Sequence, residues 1–206
     1  MNKLDGATIE GDLSPTSNNV FVKVKDTTSI TKGGFIIPDS AKERPNEGTV
    51  VSAGAGKFHP ETGVQLQMSA EPGTNVLYGK YDGSEMSYND ANHQMIKDDD
   101  ILLTYSGPEA TLENVKCVKD LVLIKLPRED IKQSGLILSP KKTDNKYTYG
   151  TVVKVGPGKQ ASNGVLIPMP AAAGDQVRFK EYGGTLVKLN SEEYLVTHAQ
   201  NIVAKW

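Results

Sequence analysis

The segment Gly48-Thr49-Val50-Val51-Ser52-Ala53-Gly54-Ala55-Gly56-Lys57 returns 102 residues later as Gly150-Thr151-Val152-Val153-Lys154-Val155-Gly156-Pro157-Gly158-Lys159, with seven of ten positions identical. In a chain of 206 residues, so long an offset means two copies of one domain, not a solenoid of short units. The match runs along nearly the whole chain. Val20-Phe21-Val22-Lys23-Val24 pairs with Val122-Leu123-Ile124-Lys125-Leu126, and Gly34-Phe35-Ile36-Ile37 with Gly135-Leu136-Ile137-Leu138. Gly73, Val76, Tyr81 and Gly83 return as Gly174, Val177, Tyr182 and Gly184. Any function must therefore be one that a module of about 100 residues can perform and that doubling improves.

The repeat divides the chain into a polar, weakly ordered tail (1–12), a first domain (13–106), a spacer with Gly107-Pro108 (107–113) and a second domain (114–206). Each domain reads as short β-branched strands between Gly, Pro and Asn turns: Val20-Phe21-Val22-Lys23-Val24 with period-two alternation, then residues 49–52, 76–78 and 101–104. Asn163-Gly164 is a two-residue hairpin signal, with Thr62-Gly63 in the matching place. No stretch has a capped helical period, so the expectation is all-β, one small antiparallel barrel or sandwich per domain.

Composition excludes several function classes. A net charge of -2 offers no global field for nucleic acid or an acidic membrane, and no apolar run reaches the ~18 residues of a membrane-spanning helix. The single cysteine, Cys117, rules out an internal disulfide framework and reads as a small apolar filler. His59, His93 and His198 are isolated, so a metal site is not expected. The runs ending in Lys57 and Lys159 lack the full phosphate-loop pattern. Asp98-Asp99-Asp100 reads as a solvated turn, not an acid/base pair.

Residues 26–47 and 128–149 break the strand pattern. Both are long, polar and rich in Lys, Ser and Thr, and segments of that length without structure in a compact domain are usually functional or disordered. Each holds an apolar island, Phe35-Ile36-Ile37 after Gly34 and Leu136-Ile137-Leu138 after Gly135. Three consecutive apolar side chains point to both faces of an extended chain, so both faces need cover, from the barrel itself or from a partner's groove.

The order of features now resembles a known family. A Val-x-Val-Lys strand precedes a polar loop with Gly and three apolar residues, then Gly-x-Val-Val-x-x-Gly-x-Gly, a hairpin, a Gly-x-x-Val strand and a terminal Asp-Ile strand. Lys80-Tyr81-Asp82-Gly83-Ser84-Glu85 in the first copy and Gly174-Asp175-Gln176-Val177 in the second add to it; Glu181 and Leu186 in the second copy and Thr74-Asn75 in the first depart from it. Over residues 13–106 and 114–206 the chain resembles the GroES family of co-chaperonins, the lids of group I chaperonins, and in particular its tandem plastid members.

The resemblance implies two tandem GroES-like small antiparallel β-barrels, each with a long mobile loop and a roof hairpin. It implies that Gly34, Phe35, Ile36 and Ile37, with Gly135, Leu136, Ile137 and Leu138, dock on the 60 kDa large subunits of a group I chaperonin. It also implies that ATP is bound by that partner, with no cofactor on this chain, and that the protein resides in the chloroplast stroma after loss of a transit peptide. Two readings stand beside it: the small-barrel part of a zinc-dependent dehydrogenase, lacking here its Rossmann half and metal ligands, and a nucleic-acid-binding barrel, against which stand 6% aromatics and the negative charge. Family members with one module close seven-fold rings. Two modules per chain cannot make seven, so the expectation is a homo-oligomeric ring of about four chains, alone or mixed with single-module subunits, joined through edge strands near 13–20, 101–104, 115–122 and 202–206. A mobile tether of ~20 residues would absorb a symmetry mismatch of order 10 Å.

Overall fold

A computed structural model describes residues 1–25, 46–79, 82–127, 148–181 and 183–206. The first module contains β1 (Asn2–Leu4), β2 (Ala7–Ile9), β3 (Asn19–Val24), β4 (Asn46–Ala53), β5 (Asn75–Tyr78), β6 (Ser84–Tyr88), β7 (Ala91–Lys97) and β8 (Ile101–Tyr105). The second contains β9 (Val115–Cys117), β10 (Leu121–Lys125), β11 (Tyr149–Val155), β12 (Gln176–Phe179), β13 (Gly184–Leu189), β14 (Glu192–His198) and β15 (Ile202–Lys205). Every pairing among them is antiparallel. Strand order is β2-β1-β6-β7-β3-β4-β5-β8-β9 in one sheet and β13-β14-β10-β11-β12-β15 in the other, the all-β architecture the sequence leads one to expect.

The two copies share fine detail. β3 slips register against β4 between Phe21 and Val22, and β10 slips against β11 between Leu123 and Ile124, so the same bulge bends both strand pairs. The strict alternation expected of β3 does not hold: Val20, Phe21 and Val22 are all fully buried. Val20 and Val22 enter the barrel core, while Phe21 on the other face stacks on His93 with ring centroids 4.8 Å apart and meets Tyr88 edge-on. In β10, Val122 and Ile124 enter the second barrel's core and Leu123 turns to the opposite face.

Residues 1–12 are not the loose tail their polarity suggests. β1 and β2 form a hairpin whose turn, Asp5 (φ 48°) and Gly6 (φ 83°), has both central residues left-handed, the geometry favoured by Asp-Gly. Its first strand meets β6 at Leu4 and Tyr88. Lys3 N donates to Asn89 Oδ1 (2.9 Å), Asn89 N to the Lys3 carbonyl (3.0 Å) and Ser87 N to Asp5 Oδ1 (2.8 Å). The Asn163-Gly164 turn also differs from expectation. Gly164 N donates to the Ala161 carbonyl and Ala161 N to that of Val165, which gives a three-residue loop closed by a left-handed glycine (φ 82°).

Candidate functional site

The residues assigned to chaperonin contact, Gly34, Phe35, Ile36 and Ile37 with Gly135, Leu136, Ile137 and Leu138, lie outside the described residues, as do Lys80, Tyr81 and Tyr182. What the structure does give is the footing of both segments. Residues 26–45 leave the end of β3 and return at β4, where Val24 faces Gly48 and Lys25 N donates to the Glu47 carbonyl at 2.8 Å. Residues 128–147 leave beyond β10 and return at β11, where Lys125 faces Thr151. The glycine at each foot is required by close approach. A Cβ on Gly48 would lie 2.4 Å from Val22 Cγ1, and one on Gly150 2.6 Å from Ile124 Cγ2.

The feet carry matched chemistry from different strands. In the first, Lys25 Nζ lies 3.3 Å from Glu47 Oε1 and also donates to the Pro108 carbonyl, while the buried Tyr105 hydroxyl donates to Glu47. Burial first, then the neighbouring Glu47 carboxylate, push the Tyr105 phenol well above its usual range. In the second, Lys125 pairs with Glu192 at 2.9 Å, and the Tyr194 hydroxyl donates to the same carboxylate at 2.9 Å. The first foot is thus tied to the segment joining the modules. That segment is itself anchored: Asn114 Nδ2 donates to the Ser106 and Glu109 carbonyls, and Asn75 Nδ2 to that of Gly107.

The modules meet in a continuous interface. β9, the first strand of the second module, pairs with β8, the last of the first, through Leu103↔Cys117, Thr104↔Lys116 and Tyr105↔Val115. Leu103, Tyr105, Val115 and Cys117 share one apolar cluster with Leu123, Val187, Tyr194 and Val196 of the second module. Burial, the largest influence, pushes the Cys117 thiol up to about 12, which agrees with its reading as an apolar filler.

Beside the strands lies a charge cluster that the sequence does not reveal. The acidic run forms a 3-10 turn, Asp98–Asp100, and is not simply a solvated turn: Asp98 is 2% exposed. Its carboxylate accepts from Ser69 N (2.7 Å) and Ser69 Oγ (3.0 Å), and Lys119 Nζ of the second module reaches it at 2.7 Å. The same ammonium lies 2.5 Å from Asp99, which also pairs with Lys57 at 2.7 Å. Burial raises the Asp99 carboxyl, but the hydrogen bonds and charges of Lys119 and Lys57 outweigh it and bring it down to about 2. Burial pulls the Lys119 ammonium down, and Asp98 and Asp99 reverse that to leave it raised. The signal available in sequence was the second copy, which has Ala199-Gln200-Asn201 there; an acidic run confined to one copy is not a need of the fold.

The roof hairpins complete the contact. Thr62 Oγ1 donates to the Ser162 carbonyl (2.6 Å) and Gln67 N to Gln160 Oε1 (2.8 Å). Among the described residues no three His, Cys, Asp or Glu side chains converge as metal ligands, and no helix is long and apolar enough to cross a membrane.

Comparison with known proteins agrees with this geometry. The family described as "Chaperonin 10 Kd subunit" matches twice, over residues 12–105 and 114–206. Proteins named "20 kDa chaperonin, chloroplastic" from Arabidopsis thaliana and Spinacia oleracea are each 30% identical over 193 residues, covering 93% of this chain and 75% and 74% of their own lengths. A "Co-chaperonin GroES" of Solidesulfovibrio magneticus is 44% identical over 90 residues, covering 44% of this chain and 93% of its own. The dehydrogenase and nucleic-acid readings have no support beside these matches. The chain belongs to the chaperonin 10 kDa subunit family, the non-enzymatic co-chaperonins that partner chaperonins, and carries two copies of the family's domain in tandem.

Proposed function

We propose that this chain is a lid for a group I chaperonin and binds the 60 kDa large subunits through Phe35-Ile36-Ile37 and Leu136-Ile137-Leu138, set on Gly34 and Gly135. The observation that carries the reading is the pair of equivalent footings. Both segments spring from the same bulged strand pair in modules of the same family. Burying three such side chains is worth about 5–8 kcal/mol gross. Fixing five or six backbone residues costs about 1–2 kcal/mol each. One segment therefore binds weakly, and several displayed together bind through effective concentration, which suits a lid that must come off. The chain holds no cofactor of its own, and ATP sits on the partner. The chloroplastic names of the two relatives that span this chain support a plastid location, in the stroma after loss of a transit peptide. The experiment is capture of chaperonin large subunits in the presence of ATP. Wild type retains them, Ile36→Ser or Ile137→Ser retains less, and equal retention by all three would refute the assignment.

The assembly we propose is a ring of about four chains, alone or with single-module co-chaperonins, in which each contact between chains repeats the strand register of the one within the chain. What supports it is that positions covered at the internal contact are open at the outer ends. Tyr105 is 2% exposed, whereas Trp206 in its place on the second module is 65% exposed. Val203 likewise stands exposed where Leu102 is partly buried. At the other end, Ser52 Oγ holds the Leu13 carbonyl at 3.2 Å, as Lys154 Nζ holds that of Val115 at 2.7 Å, so residues 13–15 already occupy the place of β9. By that register Leu13 would face the next chain's Trp206, and Pro15 its Ala204. A head-to-tail contact of this kind closes a ring or runs on as a filament. Native mass spectrometry distinguishes these, and a monomer even with chaperonin and nucleotide present would refute both.

A further inference from the structure

Beside the apolar strand contact of β8 with β9, the contact within the chain carries ion pairs at Lys119 and hydrogen bonds at the roof hairpins, and most residues equivalent to these polar ones at the chain's two outer ends cannot repeat them. The equivalences rest on backbone hydrogen bonds. Gly158 N donates to the Lys119 carbonyl as Gly56 N does to that of Ser17, and both Lys119 (φ 47°) and Ser17 (φ 56°) are left-handed. Asp98 N donates to the Asn18 carbonyl as Ala199 N does to that of Asp120, which aligns the turn Asp98–Asp100 with Ala199–Asn201. The bridge Phe58↔Gln65 corresponds to Gln160↔Leu166, which aligns Phe58 with Gln160 and Gln67 with Pro168.

Replacing internal residues by their outer counterparts removes the ion pairs and one of the two roof hydrogen bonds; the other, from Thr62 Oγ1 to the Ser162 carbonyl, falls to Asn163, which keeps a side-chain donor. Ser17 stands in place of Lys119, and Ala199 and Gln200 in place of Asp98 and Asp99, so the ion pairs have no equivalent. The bond from Gln67 N to Gln160 Oε1 cannot form either, because Pro168 has no N–H and Phe58 no acceptor. Pro15, in place of Cys117, likewise lacks a backbone donor. What the outer ends offer instead is apolar. Phe58 is 64% exposed at one end, and Val165 (62%), Leu166 and Ile167 are exposed beside Pro168 at the other. The internal counterpart of Val165 is Val64, which is partly covered; Cγ1 of Val64 lies 3.3 Å from where a Cβ on Gly164 would stand.

We infer that the apolar face of Val165, Leu166, Ile167 and Pro168 takes Phe58 of a second copy of this chain, so that the seam between chains is apolar at the roof hairpins, where the junction within a chain is hydrogen-bonded and is backed by the Lys119 ion pairs. The inference rests on the head-to-tail ring proposed above and adds to it the chemistry of the seam. Ionic contacts at partly exposed sites weaken with salt, whereas apolar contacts do not. The internal junction is also helped by its short covalent connection. A ring built this way opens between chains and not within them, and salt does not open it.

The test measures the assembly constant of the full chain by sedimentation in low (~50 mM) and high (~1 M) sodium chloride, which shortens the screening length to a few ångströms. The expected result is a constant unchanged within about threefold or tightened, together with a Phe58→Gln variant that assembles about tenfold or more weakly while its thermal unfolding matches wild type. A tenfold loss of assembly in high salt, or undiminished assembly by Phe58→Gln, overturns the inference and leaves the ring standing. Absence of any oligomer, alone or with chaperonin large subunits and nucleotide, overturns the ring reading itself and the inference with it. Because this assembly is measured on the chain alone, with the islands at 34–37 and 135–138 intact, a Phe58→Gln defect reports the seam and not chaperonin binding.

Discussion

Replacing Lys119 by Met should open the junction between the modules without unfolding either. The ammonium sits between Asp98 Oδ2 at 2.7 Å and Asp99 Oδ1 at 2.5 Å, and its side chain is 24% exposed. Removing one partner of a fully buried pair costs about 3–5 kcal/mol. Less is lost here, because Asp98 keeps two hydrogen bonds from Ser69 and Asp99 keeps Lys57. Hydrogen bonds to charged groups are worth about 1.5–3 kcal/mol each, and solvent reduces the Asp99 share, so the net loss is about 2 kcal/mol. At about 1.4 kcal/mol per factor of ten, opening becomes some 10- to 100-fold more frequent. Cys117 reports it: the thiol is 7% exposed on β9, its pKa pushed up to about 12 by burial, and it is the chain's single cysteine. Alkylation near pH 8 should accelerate by that factor in Lys119→Met. Hydrogen exchange at Val177, in the second barrel's own core, should not change. A rate within twofold of wild type, or equal acceleration at Val177, would show that the ion pair does not hold the junction.

The same cluster fixes a pH window. The Asp99 carboxyl is lowered, so its contribution is full above the unfolded value near 4 and fades as pH falls toward about 2. Lys119 is raised, so its contribution is full below about 10 and is lost only at higher pH. Cys117 labelling corrected for thiolate fraction should therefore be flat across neutral pH, and a rise in opening between pH 5 and 7 would contradict this. Gly48→Ala and Gly150→Ala should each cost about 1–3 kcal/mol by driving a Cβ against Val22 and Ile124; melting should show the loss in the substituted module. Gly6→Ala, at φ 83°, should free the Ser87 and Asn89 amides to exchange while leaving the melt of the first barrel nearly unchanged. Combining Ile36→Ser with Ile137→Ser should lose far more chaperonin binding than either alone, and simple additivity would argue against collective binding.

The repeat made most of the fold legible, because one module's pattern could be checked against the other's. The strands at β3, β4, β5 and β8 lie where β-branched residues and turns place them. The hairpins β6–β7 and β13–β14 were harder to see, since residues such as Ser84-Glu85-Met86-Ser87 have little β-propensity. Their turns, Asn89-Asp90 and Asn190-Ser191, were the available signal: all four residues are left-handed, which Asn and Asp tolerate best. The N-terminal hairpin is obscured in the sequence for a related reason. Polarity suggested a tail, while Asp5-Gly6 carried the hairpin information in two residues. The docking of modules was only partly legible. Edge strands could be named from chain ends, but the Lys119 cluster joins residues far apart in sequence that no local pattern connects.

The differences between the copies carry the information that the similarities cannot. Where both modules need the same thing, the residues agree: Gly48 and Gly150 at the loop feet, Gly56 and Gly158 with φ near 100°, and the bulges at equivalent steps of β3 and β10. Where one module faces its tethered sibling and the other does not, they diverge. Lys119 answers Asp98 and Asp99, while Ser17, Ala199 and Gln200 do not form that set. Tyr105 is sealed under β9, while Trp206 remains open. Covalent tethering raises the effective concentration of the sibling, so the internal contact needs no affinity beyond its β8–β9 apolar cluster, and the polar residues beside it are free to serve register. A charge cluster suits that role, because a wrong docking strands the nearly buried Asp98 carboxylate without its ammonium. In the proposed ring the outer ends have no tether and have to supply affinity, for which large exposed apolar side chains are available. On that proposal, duplication in one chain turns two equal contacts into one whose charges set the register and one whose roof is apolar.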